Sequence, residues 1–237
     1  MEIRCEKVTV AYEREPVFSD LDVSFRVKEV NAIIGPSGSG KSTLLRLLSS
    51  LEDPRSGTVY YDGKPHYELH PTEIRARVGM IFQKPTLFEG TVYDNLIFGL
   101  KLQKKDIQPD EITKVLKQVD IPVNYLERKG NELSIGEQQR ICIVRALLLE
   151  PDVFLLDEPV SALDPQRANQ VLKLIRRLNT DFGKTVIMVS HNMNDVLSIS
   201  DRIFFLWQGK ILYQGVPEGF RNSDNEIIKK FIAGEYE

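Results

Sequence analysis

The sequence predicts an α/β fold with a phosphate-binding site at the carboxyl end of its buried strands. Three observations predict it. Residues 30–34 read as a buried strand, run into a glycine-rich stretch at 35–40, and are followed by a helix whose apolar face is Leu44, Leu45, Leu47, Leu48 and Leu51. Residues 153–156 are an apolar run that ends on Asp157-Glu158. The length of 237 residues suits one large α/β domain, 1–237, with a subdomain inserted in it.

The elements follow in order. Val8, Val10 and Tyr12 alternate, as do Val23, Phe25 and Val27, so the chain opens with strands. The leucine helix stops before Pro54. Residues 58–61 with Asp62-Gly63 predict a hairpin. From about 84 to 149 helical periodicity takes over: Ile112, Val115, Leu116 and Val119 are spaced i, i+3, i+4 and i+7, which predicts a helical subdomain. Two apolar strands follow, at 153–156 and 185–190. Residues 203–207, Gly209 and 211–213 predict a closing hairpin, and a short polar helix is expected at about 225–233.

Composition excludes several classes. Hydrophobic residues are 42% and charged residues 27%, an ordinary globular balance. A net charge of -3 does not favour nucleic acid as the main partner. The start, Met1-Glu2-Ile3-Arg4, carries an acid and no apolar run, so no secretory leader is expected. No apolar run approaches the roughly 20 residues that cross a bilayer, so any membrane work would go through a partner. Cys5 and Cys142 lack metal-ligand spacing and are expected as core residues of a reduced, cytosolic protein. His66 and His70 flank a polar turn and read as solvated residues, not metal ligands.

Gly35-Pro36-Ser37-Gly38-Ser39-Gly40-Lys41-Ser42, with Thr43 after it, fits the G-x-x-x-x-G-K-[ST] loop. Glycines let successive N–H groups curl around one anion, and the helix dipole points at it. Lys41 would reach the β- and γ-phosphates of ATP, and the Ser42 hydroxyl would ligate Mg²⁺. Asp157, at a strand end, suits the Mg²⁺ shell, and Glu158 suits polarisation of an attacking water. That pair favours hydrolysis over transfer to an acceptor.

Leu133-Ser134-Ile135-Gly136-Glu137-Gln138-Gln139-Arg140 contains a capping box, Ser134 with Glu137, that would open a helix. The stretch also resembles the signature motif of the nucleotide-binding subunits of ABC transporters, usually Leu-Ser-Gly-Gly-Gln. Ile135 and Glu137 depart from it; Ser134 and Gly136 keep it. The resemblance covers nearly the whole chain. It implies an α/β, P-loop NTPase core of ABC type, with an N-terminal antiparallel β-subdomain and an inserted α-helical subdomain at about 84–149. It implies that Tyr12 stacks on adenine, that Gln83 contacts Mg²⁺ and the attacking water, and that His191 contacts the γ-phosphate. Ser161-Ala162-Leu163-Asp164 would cross a dimer interface. Lys41, Asp157 and Glu158 of one copy would face Ser134, Gly136 and Glu137 of the other across two ATP molecules.

The expected protein is a peripheral ATPase on the cytoplasmic face of a membrane, working as a homodimer on a permease. Leu87, Phe88 and Tyr93 are the candidates for its docking groove, with packing inside the helical subdomain as the alternative. Residues 85–88 and 91–98 are similar both to a subgroup of metal (iron) exporters and, less closely, to phosphate importers. A soluble, non-transport ATPase of the same type is the competing function.

Overall fold

The computed structural model describes residues 1–13 and 15–236. In chain order its elements are β1 (Ile3–Tyr12), β2 (Glu15–Phe25), β3 (Val30–Ile34), α1 (Lys41–Leu48), β4 (Ser56–Tyr61), β5 (Lys64–Pro65), α2 (Pro71–Arg77), β6 (Val78–Ile81), α3 (Val92–Leu102), α4 (Pro109–Gln118), α5 (Ile135–Leu147), β7 (Val153–Asp157), α6 (Pro165–Thr180), β8 (Thr185–Val189), α7 (Met193–Ile199), β9 (Arg202–Trp207), β10 (Lys210–Gly215), α8 (Pro217–Arg221) and α9 (Glu226–Ile232).

The strands form two sheets. One has the order β2-β1-β4-β5 and is antiparallel throughout, the N-terminal β-subdomain expected above. The other has the order β10-β9-β3-β8-β7-β6. It is parallel from β9 to β6, with β10 antiparallel on its edge.

Side-chain alternation feeds two cores. Val30, Ala32 and Ile34 of β3 enter one, with Phe154 and Leu156 of β7 and Val186 and Met188 of β8. Ile33, Val153, Leu155, Ile187 and Val189 enter the other. Central parallel strands are covered on both faces, so they read as continuous apolar runs. The first core lies under α3 to α6; the second joins the parallel sheet to α1 and the antiparallel sheet. Leu44, Leu45, Leu47 and Leu48 of α1 are all buried there, each contributing about 1.5–3 kcal/mol. The parallel strands thereby end together, at the edge where the glycine-rich loop begins.

Two expectations are corrected. Leu51 is not on the helix face: α1 ends at Leu48, and Leu51 is 46% exposed in the turn that follows. Val27 does not continue its strand. β2 ends at Phe25, and the chain turns through Lys28, at φ +57°, whose N–H binds Thr185 Oγ1 at 2.9 Å. The hairpin expected around Asp62-Gly63 forms, with a two-residue return strand, since Pro65 brings no N–H to extend the ladder. Cys5 and Cys142 are buried and unpaired with each other. Burial pushes the Cys5 thiol up to about 12, with nearby Asp22 adding to it. His66 accepts a hydrogen bond from the Val59 N–H, and the His70 ring caps α2.

Candidate active site

The glycine-rich loop joins β3 to α1. Its last residue, Gly40, has φ +99° and caps α1 without a side-chain hydrogen bond. The first N–H groups of the helix are therefore left for an anion. A Cβ on Gly40 would lie 2.7 Å from Val17 Cγ1, so both conformation and space require glycine. The Lys41 ammonium folds back onto its own loop, donating to the Gly35 carbonyl at 2.9 Å and the Pro36 carbonyl at 2.8 Å. Burial pulls its pKa down, while Glu158 and Asp157 act the other way. Ser39 Oγ is buried in the same loop with no hydrogen-bond partner among the described residues.

β7 delivers the carboxylates. The Ser42 hydroxyl donates to Asp157 Oδ1 at 2.9 Å. Burial raises the Asp157 pKa, and the adjacent Glu158 charge works in the same direction against the Ser42 hydrogen bond. Glu158 itself sits at φ +45°, a strained conformation for a residue with a Cβ, and its N–H binds the Val189 carbonyl of β8 at 3.0 Å. Its Oε2 gathers two further groups: Gln83 Nε2 at 3.2 Å and His191 Nδ1 at 3.1 Å. Three residues from distant parts of the chain, Ser42, Gln83 and His191, thus converge on the neighbouring pair Asp157 and Glu158. They do so because β3, β6, β7 and β8 are parallel neighbours or near neighbours ending at one edge.

A cleft of about 660 Å³ opens over this cluster, lined by Gly35, Pro36, Ser37, Gly38, Gly40, Lys41, Ser42, Thr43, Glu158 and His191 among others. A second, of about 1020 Å³, shares Val17 and Gly38 with it and holds Tyr12, which is 44% exposed, opposite Gln208 and Gly209. An extended ligand could run from one to the other, with a ring on Tyr12 and anions at the loop. Ser42 Oγ and Asp157 Oδ1 are hard oxygen donors. They suit a cation such as Mg²⁺, which takes one or two protein oxygens and leaves the rest of its shell to phosphate and water.

Ser134, Gly136 and Glu137 line neither cleft. Ser134 caps α5 as expected: its N–H donates to Glu137 Oε2 at 2.7 Å, and its Oγ accepts the Glu137 N–H at 3.4 Å. Gly136 is buried, and a Cβ on it would meet Arg167 Cβ at 3.3 Å, so its bare Cα serves the approach of α5 to α6. The Glu137 carboxylate is turned to its own chain. Burial alone would raise its pKa, but the Tyr125 hydroxyl, Ser134 and Arg128 outweigh that and hold it at about 2. A carboxylate so occupied closes the capping box at the start of α5.

Sequence reasoning missed some of the lining. Ser161 Oγ accepts a second hydrogen bond from Gln83 Nε2 at 3.2 Å and donates to the Glu158 carbonyl. Val17, Met193, Phe231, Gly234 and Tyr236 wall the phosphate cleft. Phe231 is fixed against Phe205, 4.9 Å between centroids, and Tyr236 against Trp207 at 4.7 Å. Phe231 lies within the short C-terminal helix α9 and Tyr236 just beyond it. Leu87 and Phe88 line a separate cleft of about 520 Å³ with Lys129, Gly130 and Gln138; Leu87 also packs against the core, as does Tyr93, which does not line the cleft.

Residues 18–161 match the family described as ABC transporter. The spermidine/putrescine import ATP-binding protein PotA of Mesoplasma florum is 39% identical over 236 residues, 98% of this chain and 66% of that protein. The phosphate import ATP-binding protein PstB of Thermotoga maritima is 35% identical over 247 residues, 98% of each. A solved ATP-binding cassette, a dimer in a post-hydrolysis state bound to ADP and Pi, superposes with a TM-score of 0.79 at 30% identity, covering 91% of this chain and 98% of that one. With the loop, the carboxylate cluster and the capped α5 in the places described, the chain belongs to the ABC transporter family, as an ATPase cassette.

Proposed function

We propose that the chain powers a membrane transporter by hydrolysing ATP in a sandwich of two copies, from the cytoplasmic face of the membrane and without nucleic acid. The observation that carries this reading is the convergence of Gln83, Glu158 and His191 opposite the Lys41 loop, while the Ser134 helix end stays outside both clefts. One chain holds half a site.

Adenine would lie on Tyr12, and the phosphates in the loop from Gly35 to Thr43. Lys41 would exchange the Gly35 and Pro36 carbonyls for β- and γ-phosphate oxygens, a small movement of a flexible side chain. Bound Mg²⁺, held by Ser42, Asp157 and Gln83, would supply charge neutralisation at the phosphates. Glu158 would orient the attacking water and take its proton. His191, whose Nδ1 lies 3.1 Å from Glu158 Oε2, would hold that carboxylate and touch the γ-phosphate. The partner copy would bring the N-terminus of its α5, where Ser134 and the free backbone N–H groups meet the same phosphate. The helical subdomain at about 84–149 would carry the docking cleft, and opening of the sandwich would move the permease seated there. The dimeric cassette with ADP and Pi supports the assembly. No described helix is long and apolar enough to cross a membrane. The transporter subunits among the relatives support a separate membrane partner.

Glu158→Gln tests the reading. It should keep ATP binding, lower turnover at least about a hundredfold, and accumulate an ATP-bound dimer on sizing. Normal turnover would remove Glu158 as the base. Phosphate, iron and polyamine are the cargo classes to screen, by stimulation of ATPase activity in the reconstituted complex.

A further inference from the structure

We propose that Arg128 is a positioning residue for ATP-driven dimerisation: its guanidinium screens the Glu137 carboxylate from the γ-phosphate that a partner copy presents to Ser134. The inference rests on the sandwich dimer proposed above. The end of α5 that must receive a highly charged anion carries an acid in its own first turn. Glu137 stands where the family usually has a neutral glutamine. A fixed negative charge beside an incoming phosphate repels it unless a cation stands close by.

The geometry supplies that cation. Arg128 Nη1 lies 3.6 Å from Glu137 Oε1, and it is the cation within ion-pair distance of this carboxylate among the described residues. The other groups on Glu137, the Tyr125 hydroxyl and the Ser134 N–H, bring dipoles and no net charge. Arg128 is itself held in place. Nη2 donates to the Glu132 carbonyl at 2.7 Å, and the guanidinium lies over the Tyr125 ring, 4.7 Å from its centroid. Its backbone carbonyl accepts the Val92 N–H at 2.9 Å, which ties it to the first turn of α3. The pair is only about one-fifth to one-third exposed, 22% for Glu137 and 33% for Arg128, so solvent screens it incompletely.

The test uses the full chain carrying Glu158→Gln, which is expected to stop at the ATP-bound dimer. Dimerisation is followed by sedimentation against ATP concentration. Binding of a fluorescent ATP analogue to dilute monomer reports the Lys41 half-site and the fold. Arg128→Gln should weaken dimerisation about tenfold, a modest loss at each of two equivalent sites, with monomer binding unchanged. Arg128→Lys keeps the charge and should stay within about twofold of the parent. Adding Glu137→Gln to Arg128→Gln should restore dimerisation, because there is then no charge to screen. A double variant as weak as Arg128→Gln alone, or Arg128→Lys as weak as Arg128→Gln, would overturn the screening role and leave Arg128 acting through shape. Failure of the Glu158→Gln parent to dimerise while it binds ATP would strike the sandwich itself, and is recognisable because it does not depend on residue 128.

Discussion

Gly40 shows how narrowly a single position is specified. At φ +99°, 2.7 Å from Val17 Cγ1 for any added Cβ, it admits no side chain. Gly40→Ala should cost at least about 1–3 kcal/mol in urea unfolding and lower affinity for ATP, since relief of the clash moves the first N–H groups of α1; unchanged stability would mean the loop has room that the packing denies. Glu158 stores strain of the same kind, at φ +45°, beside the hydrogen bond from Gln83 and the close His191 ring nitrogen. His191→Ala should therefore affect kcat more than KM, by about tenfold to a hundredfold, because it frees the Glu158 carboxylate without touching the loop; a change confined to KM would remove that role. Gly40 and Glu158 were legible in the sequence because each sits at a fixed offset from an apolar strand, whereas Gln83 and His191 were named only through the family resemblance. Ser161 was legible only as part of a loop, since its contact with Gln83 spans 78 positions along the chain.

At the scale of the element, α5 is fixed by its cap. Ser134 and Glu137 exchange hydrogen bonds, and Tyr125 and Arg128 fix the Glu137 carboxylate from outside the helix. Against opposing burial, these partners depress the Glu137 pKa from 4.5 to about 2. A depressed carboxylate stabilises the folded state above its unfolded value, and that contribution is lost as pH falls through the folded one. Tyr125→Phe should raise the Glu137 pKa, read by carboxyl NMR titration, and cost about 1–2 kcal/mol at neutral pH; an unmoved titration would place the hydroxyl elsewhere. The capping box was visible in four consecutive residues. Its outside partners were not, because Tyr125 lies in a short 3-10 turn that carries no periodicity.

At the scale of the whole molecule, the cleft beside Leu87 and Phe88 is separate from the nucleotide clefts. Asn95 builds its wall, bonding the Phe88 N–H at 2.7 Å, the Phe88 carbonyl at 3.0 Å and the Thr91 carbonyl at 2.9 Å. Phe88 is 46% exposed and leans on Phe98 at 4.4 Å, so a charge there is tolerated by the fold. Phe88→Asp should leave ATP binding intact and uncouple ATPase activity from transport in the reconstituted complex; loss of nucleotide binding would make the site part of the core. The sequence by itself determined the α/β class, the phosphate loop, the carboxylate pair and the capped helix, because each is written in contiguous residues whose spacing obeys strand or helix periodicity. Only the tertiary structure decided that Gln83 and His191 meet at Glu158, that Gly136 lies against Arg167, that Tyr125 and Arg128 hold the Glu137 carboxylate, and that Phe231 and Tyr236 wall the cleft over the glycine-rich loop. Those contacts depend on which strands become neighbours and how closely two helices approach, and such distances are set by the packing of the whole core.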